Sequence, residues 1–269
     1  MEKKTELLID VSDIHCGSDV GLAPPSVKTE SGNEISFGEN IHQAWLWENW
    51  CIAQKWLKEI IGNSIAALLV NGDATEGCHH RNESELIAAA IETHTSMAVR
   101  CLSPIAELCE HVFVTKGTAC HTLNMENRLA EKLGAVNGKA QNQWLIRIKG
   151  CLVDAKHHMT TTSRANLEAS AMSILMGNAV LNRSRNDHRI PKVFLRAHRH
   201  CGGYYSDGSR LFGVTGGWQF LTRHGYKVVP DSIPQPSILV LDWRDKKPGE
   251  LPQVHEKKID CPQSEIVSI

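Results

Sequence analysis

The sequence predicts an α/β fold, because short apolar runs typical of buried strands alternate with helical segments along the chain. Composition agrees: hydrophobic residues make up 42% and charged residues 22% of the 269 positions, which is ordinary for a packed globular chain. No internal repeat, low-complexity tract or linker divides the sequence. We therefore expect one domain over residues 1–269.

In the first half of the chain, three apolar runs predict buried strands. They are residues 7–12, 65–71 and 111–115. Between the first two, a loop at 16–40 that is rich in glycine and proline precedes a predicted helix at Ile41–Ile61. Four tryptophans on that helix are expected to pack against a sheet, with a base-stacking platform as the alternative. They are Trp45, Trp47, Trp50 and Trp56.

Helices are also predicted on both sides of the third strand. Asn82 or Ser84 can cap a helix that continues to Cys101, and Pro104 then starts a further turn or short helix. Residues 125–133 predict another helix, which Gly134 stops.

The second half is predicted to consist mainly of strands. Trp144–Ile148 and Cys151–Ala155, joined at Lys149 and Gly150, predict a hairpin. Val193–Arg196 predicts a buried strand. Later strands, mostly antiparallel, are expected at residues 209–214, 237–243 and 254–259.

Charge and cysteine content narrow the class of protein. The formal net charge of -1 gives no general basic field, so nucleic-acid binding would need a local patch. No apolar signal region follows the charged N-terminus, and no apolar run approaches the length of about 20 residues that spans a bilayer. The nine cysteines include no CxxC pair, so we expect most of them to be reduced and partly buried, with a disulfide framework or a thiolate zinc site as the alternative. The chain is expected to be cytoplasmic, without a membrane partner.

Five motifs containing Asp, Gly or His follow predicted strands. They are Asp13-Ile14-His15, Gly72-Asp73, Gly117 to His121, His157-His158 and His198-Arg199-His200. Ligands bind beyond the carboxyl ends of strands in open α/β sheets, and carboxylates with imidazoles hold divalent metals. Asp and His two positions apart point the same way, although each motif alone also fits a loop or turn. Together they predict a two-metal hydrolase.

The motif order DIH, NGD, KGTACH, KHH and AHRH resembles that of the calcineurin-like metallophosphoesterase superfamily, whose pattern runs DxH, GD, GNH, H and GHxH. The resemblance extends from Asp13 to His200. Segments outside the ligands are similar to small members encoded by phages and prophages. The resemblance implies a four-layer α/β/β/α sandwich of two mixed sheets flanked by helices.

The resemblance also implies six metal ligands and two divalent ions, which would be Mn, Fe, Zn or Ni. Asp13, His15 and His200 would hold one ion, His157 and His198 would hold the other, and Asp73 would bridge them. His158 is the alternative to His157. A water or hydroxide shared by the two ions would attack phosphorus in line.

The third motif departs from the family pattern, because no Asn follows Gly117 in register. Thr118 could instead be a weak ligand or a water holder. His121 could contact the phosphate and protonate the leaving oxygen as a catalytic residue. Alternatively, His121 could be a metal ligand, which would leave the acid role to another group.

The segment 160–164 contains hydroxyls and Arg164, which could bind phosphate oxygens or form a surface salt bridge. His79, His80, His94 and His224 are assigned no role. The expected function is a metal-dependent phosphodiesterase acting on nucleotides or nucleic-acid ends. The alternatives are a phosphomonoesterase and a metallophosphoesterase-like binding or scaffold protein that has lost catalysis.

Overall fold

A computed structural model describes residues 4–28, 32–36, 40–79, 82–122, 125–159, 168–186, 189–228 and 232–262. The strands are β1 (Leu7–Val11), β2 (Ser26–Lys28), β3 (Glu34–Ser36), β4 (Ala66–Val70), β5 (Cys109–Val114), β6 (Trp144–Ile148), β7 (Cys151–Ala155), β8 (Val193–Arg196), β9 (Gly203–Ser206), β10 (Leu211–Val214), β11 (Ser237–Asp242) and β12 (Gln253–Lys258). The helices are α1 (Ile41–Ile61), α2 (Ile91–Ala106), α3 (Ala119–Thr122), α4 (Met125–Lys132), α5 (Glu168–Arg185) and α6 (Arg223–Val228). Short 3-10 turns occur at Glu83–Glu85 and Val136–Gly138.

Two five-stranded mixed sheets form the centre of the fold. The first has the order β12-β11-β1-β4-β5, with β1, β4 and β5 parallel and β11 and β12 antiparallel. The second has the order β6-β7-β8-β10-β9, with β7, β8 and β10 parallel. The predicted pair of mixed sheets is confirmed.

Alternation along the strands divides the core into three layers, because successive strand residues face opposite sides of a sheet. In β1, Leu7 and Ile9 pack with α1, α2 and α4, whereas Leu8 packs between the two sheets. In β8, Leu195 packs between the sheets and Phe194 packs with α5. The order of layers is therefore helix, sheet, sheet, helix, as predicted.

Helix α1 has the predicted bounds because a capping residue flanks each end. The Asn40 side chain accepts a hydrogen bond from the His42 amide at 2.9 Å, and Gly62 ends the helix at a φ of 53°. Trp50 is fully buried and donates to the Cys101 carbonyl at 3.1 Å. The other three tryptophans pack partly buried against the same core, so core packing, not base stacking, is confirmed.

The predicted start of α2 was wrong. Asn82 does not cap a helix: it accepts from the His79 amide at 2.9 Å and donates to Glu76 Oε1 at 3.1 Å, which closes a loop. Helix α2 begins at Ile91 and includes Pro104 in its last turn, so Pro104 starts no new element.

Further differences concern the second half. Strand β10 pairs parallel with β8 as well as antiparallel with β9, so the expected antiparallel pairing holds only in part. Strand β9 and helices α5 and α6 were not predicted. Each of the nine cysteines is free of a disulfide, as expected. Within the described ranges, no helix has the length and hydropathy needed to cross a bilayer.

Candidate metal centre

The predicted ligands converge where the carboxyl ends of strands from both sheets meet. Asp13 follows β1 in the first sheet, and His198 follows β8 in the second. The His198 amide donates to Asp13 Oδ2 at 3.0 Å, and the Trp218 amide donates to the Asp13 carbonyl at 2.8 Å. Asp13 therefore joins the two sheets at the centre of the site.

The backbone at the ligands has an uncommon conformation. Five of the six predicted ligands have positive φ values, at Asp13 (49°), His15 (45°), Asp73 (48°), His198 (74°) and His200 (57°). For a residue other than glycine this conformation costs roughly 1–3 kcal/mol and is concentrated at functional sites. Contacts with the surrounding fold therefore hold these five residues in a strained backbone conformation, which directs their side chains toward the site.

Two of the groups whose ligand atoms lie within 4.8 Å of one another contain the predicted Asp ligands. One group is Asp13, His15 and His200, and the other is Asp13, Asp73, His157 and His198. Asp13 Oδ1 lies 3.6 Å from His200 Nε2 and 3.9 Å from His157 Nε2. Asp13 thus belongs to both groups, whereas Asp73 belongs to the second, so its bridging role stays a prediction.

Two buried lone pairs show that this donor set fits a cation. Among the described residues, no group hydrogen-bonds Asp13 Oδ1 or His157 Nε2. His157 Nδ1 donates to the Asn71 carbonyl at 2.7 Å, so Nε2, 2.9 Å from Asp73 Oδ2, is the ring nitrogen that can take up a proton or a metal ion. Buried acceptors without a donor are costly unless a proton or metal lies between them. The residues therefore fit divalent ions.

Burial and charge set the protonation of this pair. Burial favours neutral His157, but the Asp13 and Asp73 carboxylates outweigh it and raise the His157 pKa to about 10. Burial likewise opposes ionisation of Asp73, yet the charge of His157 holds the Asp73 pKa well below its usual range. Without metal, a proton on His157 therefore occupies the place of a cation.

Metal binding is consequently expected to release a proton from His157. Affinity for Mn²⁺ should rise about tenfold per pH unit between about pH 6 and pH 8, because the proton competes with the ion below a pKa of about 10. Calorimetric titrations in buffers of different ionisation enthalpy measure the proton count. An affinity that does not change with pH would show that His157 is not a ligand.

Glu76 supports the first group and was not predicted. Its Oε2 lies 2.9 Å from His15 Nδ1 and accepts a hydrogen bond from Gln219 Nε2 at 2.8 Å. Burial opposes its ionisation, but the hydrogen bonds from His15 and His79 hold the Glu76 pKa well below its usual range. Such a carboxylate orients a ligand imidazole and increases its basicity.

Glu126 connects the second and third motifs and was also not predicted. Its Oε1 accepts hydrogen bonds from the Gly117 amide at 2.7 Å and the Asp73 amide at 3.3 Å. Burial, with the nearby Asp73 charge, raises the Glu126 pKa to about 8. The carboxyl is therefore mainly protonated at neutral pH, and it fixes Gly117 against Asp73 without adding a full charge.

Thr118 lies beside the second group. Its amide donates to Asp73 Oδ1 at 2.7 Å, and its hydroxyl donates to Asp73 Oδ2 at 2.8 Å. The same hydroxyl lies 3.2 Å from His198 Nδ1. Thr118 therefore orients two predicted ligands, and its hydroxyl is adjacent to the second ion's expected position.

Replacement of Thr118 by Val should weaken binding of the second ion by about tenfold, the lower end of the range for lost outer contacts of a metal site. The methyl group preserves shape but removes the donor to Asp73. Thr118→Ser, which keeps the hydroxyl, is the matched control. Equal Mn²⁺ affinities of the two variants would exclude this role.

His121 lies on the side of the first group. Its ring centroid is 4.8 Å from that of His15, and its Nδ1 donates to the Glu76 carbonyl at 2.8 Å. Burial and the neighbouring His15 lower the His121 pKa to about 4. The imidazole is thus neutral near pH 7, with the Nε2 lone pair available, which favours the ligand or acceptor alternative over proton donation.

The remaining predicted site residues differ in status. His157 is buried among the carboxylates, and the exposed His158 forms a further possible ligand group with His157 and His198. The choice of His157 over His158 as the ligand stays a prediction. Arg164 and the hydroxyl-rich segment 160–164 lie outside the described residues. The phosphate-binding role of Arg164 stays a prediction.

The four-layer sandwich of two mixed sheets, with Asp and His side chains grouped beyond strand ends, agrees with the arrangement that the sequence resemblance to the calcineurin-like metallophosphoesterases implies. No family model and no curated protein matches the chain. Among solved structures, an archaeal phosphodiesterase is 10% identical with a TM-score of 0.47, covering 94% of this chain and 99% of its own. Wild-type Vps29 from Entamoeba histolytica with bound zinc is 12% identical with a TM-score of 0.39, covering 94% and 98%.

A predicted phosphoesterase from Streptococcus pneumoniae is 11% identical with a TM-score of 0.37, covering 94% of this chain and 98% of that one. The similarity to phage-encoded members stays a prediction.

Proposed function

We propose that this chain is a dinuclear-metal phosphoesterase that hydrolyses phosphodiesters of nucleotides or nucleic-acid ends. The observation that carries the proposal is the pair of ligand groups that share Asp13 at the junction of the two sheets. Asp13, His15 and His200 would hold one ion, and His157 and His198 would hold the other. Asp73 is proposed as the bridge.

Two divalent ions at this position would supply Lewis acidity, which lowers the pKa of water and balances charge on phosphate oxygens. The protein's own contribution is orientation. Glu76 fixes the His15 ring, Asn71 fixes the His157 tautomer, and Thr118 fixes the Asp73 carboxylate. Preorganised ligands of this kind avoid reorganisation during the reaction.

Access to substrate comes from the histidine side of the site. The side chains of His198 and His200 are 35% and 23% exposed, whereas those of Asp13 and Asp73 are buried. A phosphate can therefore approach the histidines, with the carboxylates behind them. The neutral His121 would contribute an acceptor or ligand nitrogen on the same side.

The nucleotide preference follows the sequence resemblance and not a stacking surface. Phe220 packs partly buried against the core, with its ring 5.1 Å from that of His42 and 5.4 Å from that of Trp45, so it is not assigned to base stacking. The free cysteines support the proposed cytoplasmic location, where thiols stay reduced.

A comparison of chromogenic substrates tests the activity. With Mn²⁺, bis-p-nitrophenyl phosphate should be hydrolysed with a higher kcat/KM than p-nitrophenyl phosphate. The reverse preference would support the phosphomonoesterase alternative. Absence of turnover on both, with fewer than two ions bound, would support the binding or scaffold alternative, which the altered third motif favours.

A further inference from the structure

A third group of metal-binding side chains lies beside the centre, outside the two groups described above. His79, Cys120 and His121 place their ligand atoms within 4.8 Å of one another, and all three side chains are half-buried. His79 belongs to the loop after β4, and Cys120 and His121 belong to α3. Only His121 among them was predicted to have a role.

The backbone holds the loop and α3 close together. Gly77 has a φ of 70°, and a Cβ at that position would lie 2.6 Å from the His121 carbonyl oxygen. That carbonyl accepts from Thr75 Oγ1 at 3.3 Å, and the ring centroids of His79 and His121 are 4.1 Å apart. The three side chains therefore face one another because the chain segments that carry them are tied together.

The chemistry of this group differs from that of the centre. A thiolate with two imidazoles is a soft to borderline donor set that selects Zn²⁺ over Mn²⁺ or Mg²⁺. Neither of the carboxylate-containing groups around Asp13 includes a cysteine. Glu76 Oε1, 3.0 Å from His79 Nε2, is close enough to provide a fourth ligand.

We infer that His79, Cys120 and His121 form a third metal site that binds Zn²⁺ beside the dinuclear centre and shares His121 with the His15 side of that centre. Because the side chains are half-buried, the ion would be exchangeable. An ion there would engage His121, so the site would compete with the centre for that imidazole. The inference does not depend on the proposed hydrolysis.

Titration of the metal-free full-length protein with Co²⁺ tests the site. Co²⁺ bound to a thiolate gives a charge-transfer absorption in the near ultraviolet, which His and carboxylate ligands do not give. We expect this band in the wild-type protein and its displacement by Zn²⁺. Cys120→Ser should abolish the band. His79→Gln should lower the Co²⁺ affinity measured from the band by about tenfold or more.

Two controls separate this site from its surroundings. Cys78→Ser removes an exposed thiol from the same loop and should leave the band intact. Asp73→Asn disrupts the centre and should also retain the band, even though hydrolysis is lost. The inference is overturned if the wild-type protein shows no band, if Cys120→Ser keeps it, or if Asp73→Asn removes it. His79→Gln provides an independent reading if Cys120→Ser does not fold.

Discussion

Asp73→Asn is expected to lose both metal ions and to reduce kcat/KM for bis-p-nitrophenyl phosphate by more than about 10³-fold, since loss of a single preorganised electrostatic group already costs 10²–10³. The substitution preserves shape but removes the negative charge that faces His157 and His198. An amide is also a poor bridge between two cations. Metal analysis after dialysis and steady-state kinetics measure the two effects.

Asp154→Asn is the matched control for Asp73→Asn. Asp154 is equally buried, but its carboxylate lies 3.5 Å from Arg183 and 3.7 Å from Arg196 and is part of no ligand group found in the described residues. This variant should be less stable and still bind two ions. If Asp73→Asn loses one ion and keeps the other, the bridge belongs to Asp13 instead.

Gly117→Ala is expected to have the second largest effect. A Cβ at Gly117 would lie 2.8 Å from Asp73 Cγ and closer still to Oδ1 and the backbone nitrogen. Either the Asp73 carboxylate or the third motif must move. Displacement of a catalytic group by about 1 Å can cost about 10²-fold in rate, and overpacking costs about 1–3 kcal/mol of stability.

Gly177→Ala provides the control for Gly117→Ala. A Cβ at Gly177, within α5, meets no atom within 4 Å, so alanine should be neutral or stabilise the protein by up to about 1 kcal/mol. Thermal denaturation and kcat/KM distinguish the two variants. A Gly117→Ala protein with wild-type activity would show that the third motif is not in close contact with Asp73.

Elements with unambiguous local signals were predicted with correct bounds. Strand β8 is a continuous apolar run, and α1 lies between Asn40 and Gly62. Asn82 misled the prediction because its side chain hydrogen-bonds a loop and not a helix terminus. Helix α5 was missed because apolar residues lie on both its buried and exposed sides, as Met176 and Ile174 show.

The grouping of the Asp and His side chains could be predicted because such residues at strand ends are few and ordered, whereas their roles as ligands stay predictions. The carboxylates that hydrogen-bond these residues could not be predicted from the sequence. Glu76 meets His15 across 61 positions, and Glu126 meets Asp73 across 53 positions, so their roles exist only after the strands are assembled. The nearest sequence signal was a glutamate three positions after Asp73, which alone is too common to assign. The strained backbone of the ligands likewise has no signature in residue type.

The most direct test of the dinuclear centre is electron paramagnetic resonance of the wild-type protein reconstituted with Mn²⁺, together with metal analysis. Mn²⁺ is chosen because the cysteine-containing site should bind it poorly. We expect two Mn²⁺ per chain with the spectrum of an exchange-coupled pair. One Mn²⁺ per chain, or two with the spectrum of isolated ions, would contradict it.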